Sequence, residues 1–171
     1  MAKILMVIPP ERFRDEELFI TKDELEKNKH LITISSTKKG KINGSRGGNV
    51  YSTGTLDEVD TNSFDAVVFV GGGGSKLLFS NQDAIKIAQD MFSKNKIVAA
   101  ICLAPVILAN AGILNGKNAT VAGTESKTIE NRGAHYTGPG VTVDGQIITG
   151  NAPKASKLFG QKINDVLGQK I

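Results

Sequence analysis

Short apolar runs alternate with amphipathic helical segments along this chain, and that alternation constrains the fold more than any other feature. The apolar runs are residues 3–8, 31–35, 66–70 and 97–101. Strands that are apolar on both faces are typical of a parallel sheet covered by helices on both sides. The helical segments are residues 15–28, 81–95 and 153–167, with a shorter apolar helix at 105–111. We therefore predict an α/β fold, a doubly wound, mostly parallel sheet with helices on both faces.

The rest of the chain adds shorter elements to this plan. Residues 120–122, 141–143 and 147–149 are predicted as further strands. Residues 38–55 are rich in Gly, Lys, Ser and Asn, which indicates a turn-rich excursion with a small hairpin, and we expect no functional residue there. A chain of 171 residues without a repeat or a linker is expected to form one domain, residues 1–171.

Composition and charge exclude several classes of function. The chain has 21 Lys and Arg against 17 Asp and Glu, but only 2 Tyr and 7 Phe, so it lacks the basic and aromatic surface of a nucleic-acid-binding protein. No apolar run approaches the roughly 20 residues that a membrane span requires. With one cysteine and two histidines, a zinc site is not expected, and we predict no bound metal and no cofactor. A single cysteine cannot form an intramolecular disulfide, which favours a cytoplasmic location.

Cys102 is the strongest candidate for a chemically active residue. It lies between a buried strand and an apolar helix, with Ala100 and Ala104 two positions to either side. Small flanking residues are typical of a nucleophile elbow, a sharp turn that holds the nucleophile in a strained backbone conformation. The start of the following helix is expected to favour the thiolate and to lower the thiol pKa. The alternative is a buried, inert cysteine that serves as a small apolar side chain.

A run of four glycines, residues 71–74, directly follows the strand at 66–70. It lacks the spacing of a phosphate-binding loop or of a dinucleotide-binding turn. It can instead present backbone N–H groups to an oxyanion opposite Cys102, or it can be a turn that needs positive φ. Since ligands of open α/β sheets bind beyond the carboxyl ends of the strands, this turn, Cys102 and the acidic start of the first helix are expected to meet at one edge.

These features together resemble the DJ-1/PfpI superfamily, whose members have a flavodoxin-like, class I glutamine amidotransferase-like fold. The resemblance rests on the glycine turn, on residues 99–105 around Cys102, on the Ala-Gly-Ile-Leu-x-Gly stretch at 111–116 and on the acidic cluster at 15–18. It implies that Cys102 is the nucleophile, that Glu17 is the conserved acid, and that the backbones of Gly72, Gly73 and Leu103 form the oxyanion hole. It also implies a homodimer or a larger homo-oligomer.

The chain departs from the superfamily pattern at the catalytic base. Where one branch has a histidine directly after the cysteine, this chain has Leu103, and the stretch that matches the histidine of another branch is Ala122-Gly123. The superfamily's acid from a neighbouring subunit has no match in residues 74–77. His135 and His30 are weak candidates for a replacement base.

Two hypotheses follow. In the first, a protonated Glu17 donates a hydrogen bond to the Cys102 sulfur, and the thiol reacts with small electrophiles or peroxide in oxidative or carbonyl stress. This activity is redox sensing or glyoxalase-type or deglycase-type chemistry, with a cysteine-peptidase-like hydrolase as a variant. In the second, the chain is a non-catalytic chaperone or binding protein. Leu103 is expected to form an apolar wall beside Cys102 that favours small ligands.

Overall fold

The computed structural model describes residues 1–169, so the expected domain, residues 1–171, ends two residues beyond the described part. Its main element is a sheet of seven strands, numbered in chain order: β1 (Lys3–Val7), β2 (Leu31–Ser36), β5 (Gly54–Thr55), β6 (Ala66–Phe69), β7 (Ile97–Ile101), β10 (Val141–Asp144) and β11 (Ile147–Gly150). The spatial order is β10-β11-β7-β6-β1-β2-β5. All neighbouring pairs are parallel except β10 and β11, which are antiparallel.

In the described part of the chain, five α-helices accompany the sheet: α1 (Asp15–Lys27), α2 (Gln82–Ser93), α3 (Pro105–Asn110), α4 (Ser126–Glu130) and α5 (Ser156–Gln169). Helices α1 and α5 pack against one face, where Leu18 and Phe159 are fully buried. Helices α2 and α3 cover the other face through Met91 and Ile107. The strands are buried from both sides, as their apolar sequences require. The predicted α/β fold is confirmed.

Two small sheets lie outside the main one. Strands β3 (Gly40–Asn43) and β4 (Asn49–Ser52) form the hairpin expected in residues 38–55. Strands β8 (Asn118–Ala119) and β9 (His135–Tyr136) pair in parallel. The strand predicted at 120–122 is wrong, because β8 ends at Ala119. The Thr120 N–H donates to the Thr149 hydroxyl and not to a neighbouring strand, and the Thr120 hydroxyl donates to the Gly138 carbonyl. The predicted helix at 153–167 begins as a 3₁₀ turn, Pro153–Ala155, and continues as α5.

The carboxyl ends of the three central strands lie at the same edge of the sheet. Val7 of β1 pairs with Phe69 of β6, and Phe69 pairs with Ala100 of β7. The segments that follow these strands are the loop into α1, the glycine turn and the Cys102 turn, so the sheet brings them together. Within residues 1–169, no helix is both long enough and apolar enough to cross a membrane.

Candidate active site

Cys102 lies in a strained turn between β7 and α3. Its φ is +64°, a left-handed conformation that costs a non-glycine residue about 1–3 kcal/mol. Backbone hydrogen bonds on both sides hold it there: its N–H donates to the Gly150 carbonyl at 2.9 Å, and its carbonyl accepts from the Ala122 N–H at 2.7 Å. Ala100 and Ala104 are fully buried. The turn therefore has the backbone geometry of a nucleophile elbow, as expected from the small flanking residues.

The glycine turn lies against the loop that leads from β1 into α1. A Cβ atom on Gly72 would lie 2.4 Å from the Arg14 nitrogen, and one on Gly74 would lie 1.7 Å from the Glu11 carbonyl oxygen. Gly72 also has a φ of +108°. Gly73 differs, because the nearest atom to its Cβ position is an Arg12 side-chain nitrogen at 3.8 Å. Glycine is thus required at 72 and 74 by close backbone approach, while a Cβ atom at Gly73 would make only an ordinary van der Waals contact.

Glu17 lies in the first turn of α1, and its side chain is fully buried beneath the glycine turn. Its carboxyl faces the Cys102 thiol and the Gly71 N–H. Neither contact has the geometry of a well-formed hydrogen bond. Gly71 leaves room for this carboxyl, because a Cβ atom there would lie 2.5 Å from Glu17 Oε1. The buried Glu17 carboxyl therefore lies against the Cys102 thiol, and no well-formed hydrogen bond stabilises its ionised form.

Burial shifts the pKa values of both groups upward. It raises the pKa of Glu17 to about 8, and this shift is only partly opposed by the Cys102 thiol, the Gly71 N–H and the Arg14 charge. Burial likewise raises the pKa of the Cys102 thiol to about 12, helped by the Glu17 charge and its contact with the thiol. The Leu103 N–H and Arg14 act in the opposite direction. The thiol pKa is therefore raised and not lowered as expected, because burial outweighs the effect of the Leu103 N–H before the helix.

Cys102 and Glu17 open into a pocket of about 310 Å³. Its lining includes Gly72, Gly73 and Leu103, the residues expected at the oxyanion hole. Within residues 1–169 the N–H groups of Gly73 and Leu103 have no backbone acceptor. The structure therefore brings all five predicted site residues to one pocket.

Three further polar residues line this pocket and were not predicted: Arg14, Ser45 and Thr124. Arg14 precedes α1, and Thr124 lies in the 3₁₀ turn Gly123–Glu125. Thr124 follows the Ala122-Gly123 stretch, where another branch of the superfamily has its histidine. Arg14 directly precedes the acidic cluster at 15–18. This position was the one sequence feature that could have indicated Arg14 as a site residue.

Ser45 corrects the expectation that residues 38–55 are outside the functional site. It lies at the tip of the β3–β4 hairpin, and its N–H donates to the Phe13 carbonyl. Asp15 holds this tip, because its carboxylate accepts hydrogen bonds from the N–H groups of Arg46 and Gly48 at 3.0 and 2.7 Å. A turn-rich segment carries no pattern that reveals such a long-range contact, so sequence reasoning missed it.

Neither histidine lines the pocket. His135 is exposed on β9. His30 lies before β2, at the opposite edge of the sheet, where its Nδ1 accepts a hydrogen bond from the Ala2 N–H at 3.0 Å. The structure therefore places both histidines away from Cys102 and Glu17. In the part of the chain that the structure describes, no group of three or more His, Cys, Asp or Glu side chains could hold a metal ion.

The fold and this pocket define a class: an α/β protein with a cysteine on a strand–turn–helix elbow, opposite a glycine turn and a buried glutamate. The DJ-1/PfpI family model matches residues 2–165, and the chain belongs to that family.

Similar proteins agree with this assignment. An uncharacterized protein of Methanocaldococcus jannaschii is 43% identical over 165 residues, covering 95% of this chain and 80% of its own length. The protein named deglycase PfpI, from Pyrococcus furiosus, is 34% identical over 149 residues, covering 87% of this chain and 90% of its own. The crystal structure of a ThiJ/PfpI domain protein from Brachyspira murdochii superimposes with a TM-score of 0.96 at 35% identity, covering 98% and 96% of the two chains.

Proposed function

We propose that Cys102 is the nucleophile of a deglycase-type or glyoxalase-type reaction on small carbonyl compounds, and that Glu17 is its general acid–base residue. The observation that carries this proposal is the buried Glu17 carboxyl, with a pKa of about 8, facing the Cys102 thiol. A general acid–base group works best when its pKa is close to the working pH. Glu17 therefore supplies the function that a histidine has in other branches of the family. The name deglycase, carried by a relative 34% identical, agrees with this chemistry.

The first step is addition of the thiol to an aldehyde. The ionised fraction of Glu17 takes the proton from the Cys102 sulfur, and the sulfur forms a bond to the carbonyl carbon. The π electrons of the C=O bond move to oxygen, where the N–H groups of Gly73 and Leu103 stabilise the negative charge. Glu17 then returns the proton to this oxygen, which yields a hemithioacetal.

For a 2-oxoaldehyde such as methylglyoxal, the same group completes the reaction. Glu17 removes the proton from the former aldehyde carbon, which gives an enediolate, and returns it to the neighbouring carbon. The hydroxyl proton on the former aldehyde carbon moves to the oxygen of that neighbouring carbon. The product is a thioester of a 2-hydroxy acid. Water hydrolyses this thioester, which releases the 2-hydroxy acid and restores the Cys102 thiol.

The size of the pocket favours small electrophiles. Its volume is about 310 Å³, and the half-buried Leu103 side chain forms part of its wall beside Cys102. Replacing Leu103 with His changes this apolar wall to a polar one. Profiling Leu103→His against small aldehydes and short peptides tests the role of the wall. An unchanged profile contradicts it.

Turnover of methylglyoxal by wild type and matched variants tests the proposed reaction. We expect Cys102→Ala to abolish turnover, and Glu17→Gln to lower kcat by at least about 100-fold because it removes the proton carrier. His135→Ala is the control, because His135 lies outside the pocket, and it should retain the wild-type rate. Equal rates for wild type and Cys102→Ala contradict the proposal.

Oxidation by peroxide is the second reaction that the Cys102–Glu17 pair supports. The ionised Glu17 takes the proton of the Cys102 thiol, the sulfur attacks one peroxide oxygen, the O–O bond breaks, and the leaving hydroxide takes that proton back from Glu17 to form water. The product is a sulfenic acid, which a second peroxide converts to a sulfinate. Glu17 and the Leu103 N–H contact the Cys102 sulfur, so they are the groups nearest to the oxygens that are added. Intact mass after graded peroxide should show two added oxygen atoms in wild type and none in Cys102→Ser.

Self-association and a cytoplasmic location are part of the same proposal. Large apolar side chains are exposed on the surface, among them Leu77 at 54% and Leu158 at 44%. Light scattering at micromolar concentration should give a dimer or a larger homo-oligomer, and a monomer contradicts this. A reducing cytoplasm keeps the Cys102 thiol free. If methylglyoxal turnover is absent and protection of aggregating client proteins survives Cys102→Ser, the chain is a chaperone instead.

A further inference from the structure

A second cleft of about 430 Å³ adjoins the Cys102 pocket. Arg14 and Pro153 line both cavities and form the boundary between them. The rest of the cleft is formed mainly by Glu16 and Ile20 of α1 and by Lys154 and Lys157 at the start of α5. The cleft is therefore space into which a molecule bound at Cys102 and too large for that pocket can extend.

The charges of the cleft do not balance. Arg14 and Glu16 neutralise each other, because Arg14 Nε and Nη2 donate to the Glu16 carboxylate at 2.9–3.2 Å. Lys154 and Lys157 are exposed, and neither forms an ion pair within residues 1–169. The cleft thus presents two uncompensated positive charges beside the Cys102 pocket.

The position of these lysines is unfavourable for the stability of α5. Lys154 lies in the 3₁₀ turn that leads into α5, and Lys157 lies in the first helical turn, which has no acidic residue. Positive charges near a helix N-terminus are repelled by the helix dipole, which favours acidic residues there. Helix α1 shows the favourable arrangement, with Asp15, Glu16 and Glu17 in its first turn. The dipole of α5 and the two lysines at its start instead both favour the binding of an anion.

We infer that the electrophile attacked by Cys102 carries an anionic group, which Lys154 and Lys157 bind while the reacting carbon lies at the sulfur. This inference rests on the proposed function and deepens it. The substrate class is an aldehyde or 2-oxo compound that bears a carboxylate or a phosphate. The two lysines are specificity-determining residues, and the reaction at Cys102 proceeds without them on neutral compounds.

Alkylation of Cys102 by two matched reagents tests the inference without requiring turnover. The reagents are 3-maleimidopropionate, which is anionic, and 3-maleimidopropionamide, its neutral amide of nearly equal size. The measured quantity is the ratio of their second-order rate constants with Cys102. We expect this ratio to fall about 3- to 10-fold in the double variant Lys154→Gln/Lys157→Gln, an effect of the size expected for two nearby surface charges.

Three controls separate charge from structure. The double variant Lys154→Arg/Lys157→Arg keeps the charges and should keep the wild-type ratio. Lys162→Gln removes a lysine of α5 that does not line the cleft, and it should leave the ratio unchanged. Raising the salt concentration from 20 to 500 mM should lower the wild-type ratio and have little effect on the Gln variant, since salt screens exposed charges.

Competition by small anions distinguishes a carboxylate from a phosphate as the group that the lysines bind. Acetate and inorganic phosphate are each added to the reaction with 3-maleimidopropionate, and the one that slows it at the lower concentration identifies a carboxylate or a phosphate. A ratio that is the same in wild type and in the Gln variant overturns the inference and leaves the reactive thiol standing. A Cys102 that reacts with neither reagent overturns the proposed function and, with it, this inference.

Discussion

Glu17 Oε1 occupies the space that a side chain at Gly71 would need, since a Cβ atom built on Gly71 lies 2.5 Å from that oxygen. The same Cβ atom would lie 2.7 Å from the Ile101 carbonyl and 3.0 Å from the Cys102 Cβ. Gly71 is thus the point at which the glycine turn, the buried carboxyl and the nucleophile touch. The absence of a side chain there allows the carboxyl to reach the thiol.

Gly71→Ala is therefore expected to destabilise the protein and to displace Glu17. Forcing an extra methyl group into a packed site costs about 1–3 kcal/mol. Gly73→Ala is the matched control, because the Cβ position at Gly73 is open and its nearest atom is 3.8 Å away. Urea denaturation of both variants measures the difference. If Gly73→Ala is as unstable as Gly71→Ala, the packing argument is wrong.

The Cys102–Glu17 pair is expected to titrate in two steps. Loss of the first proton should occur near pH 8, where Glu17 titrates, and loss of the second near pH 12, because the remaining proton must leave a site that is already negative. In Glu17→Gln the thiol should titrate in one step, below the second step of wild type. The pH dependence of the rate of alkylation by iodoacetamide reports both profiles. Identical profiles for wild type and Glu17→Gln contradict the coupling.

Burial of Glu17 also makes the stability of the protein depend on pH. Its pKa is about 8 in the folded state and about 4.3 in an unfolded chain, so the folded state holds the proton more tightly. The free energy of unfolding should therefore fall as the pH rises from about 4.5 to 8, by a few kcal/mol at most from this group.

Glu17→Gln removes this contribution, because the amide keeps the shape of the carboxyl and does not ionise. We expect the variant to gain stability relative to wild type as the pH rises through that range. Urea denaturation at pH 5, 6.5 and 8 measures the difference at each pH. A difference between the two proteins that stays constant with pH argues against a raised Glu17 pKa.

Asp15 is expected to control the position of Ser45 in the pocket. Its carboxylate accepts hydrogen bonds from the N–H groups of Arg46 and Gly48 and so holds the hairpin tip against α1. Asp15→Ala should increase amide hydrogen exchange at residues 44–48 by at least about 10-fold, since each lost charge-assisted hydrogen bond is worth about 1.5–3 kcal/mol. Asp57→Ala, an exposed acid outside the hairpin, is the control. Unchanged exchange in Asp15→Ala contradicts this role.

Most elements of the fold could be predicted from the sequence, because the patterns that indicate them are local. A strand such as Ile97–Ile101 is apolar at every position, and α2 shows its apolar face at helical spacing, so each element is recognisable alone. The strand expected at 120–122 failed for the opposite reason. Thr120 bonds to Thr149 and Gly138, which are 29 and 18 residues away, and no local pattern reveals those partners.

The sequence by itself determined the alternation of elements and the elbow at Cys102, through residue types and short spacings, and its resemblance to the DJ-1/PfpI superfamily indicated Glu17. Tertiary structure alone decided the rest. The hairpin tip brings Ser45 to the pocket, and the start of α5 brings Lys154 and Lys157 beside it. Burial, which depends on every packed neighbour, raises the pKa of the Cys102 thiol against the local effect of the helix start. Such properties arise from contacts between distant segments, and a single sequence does not display them.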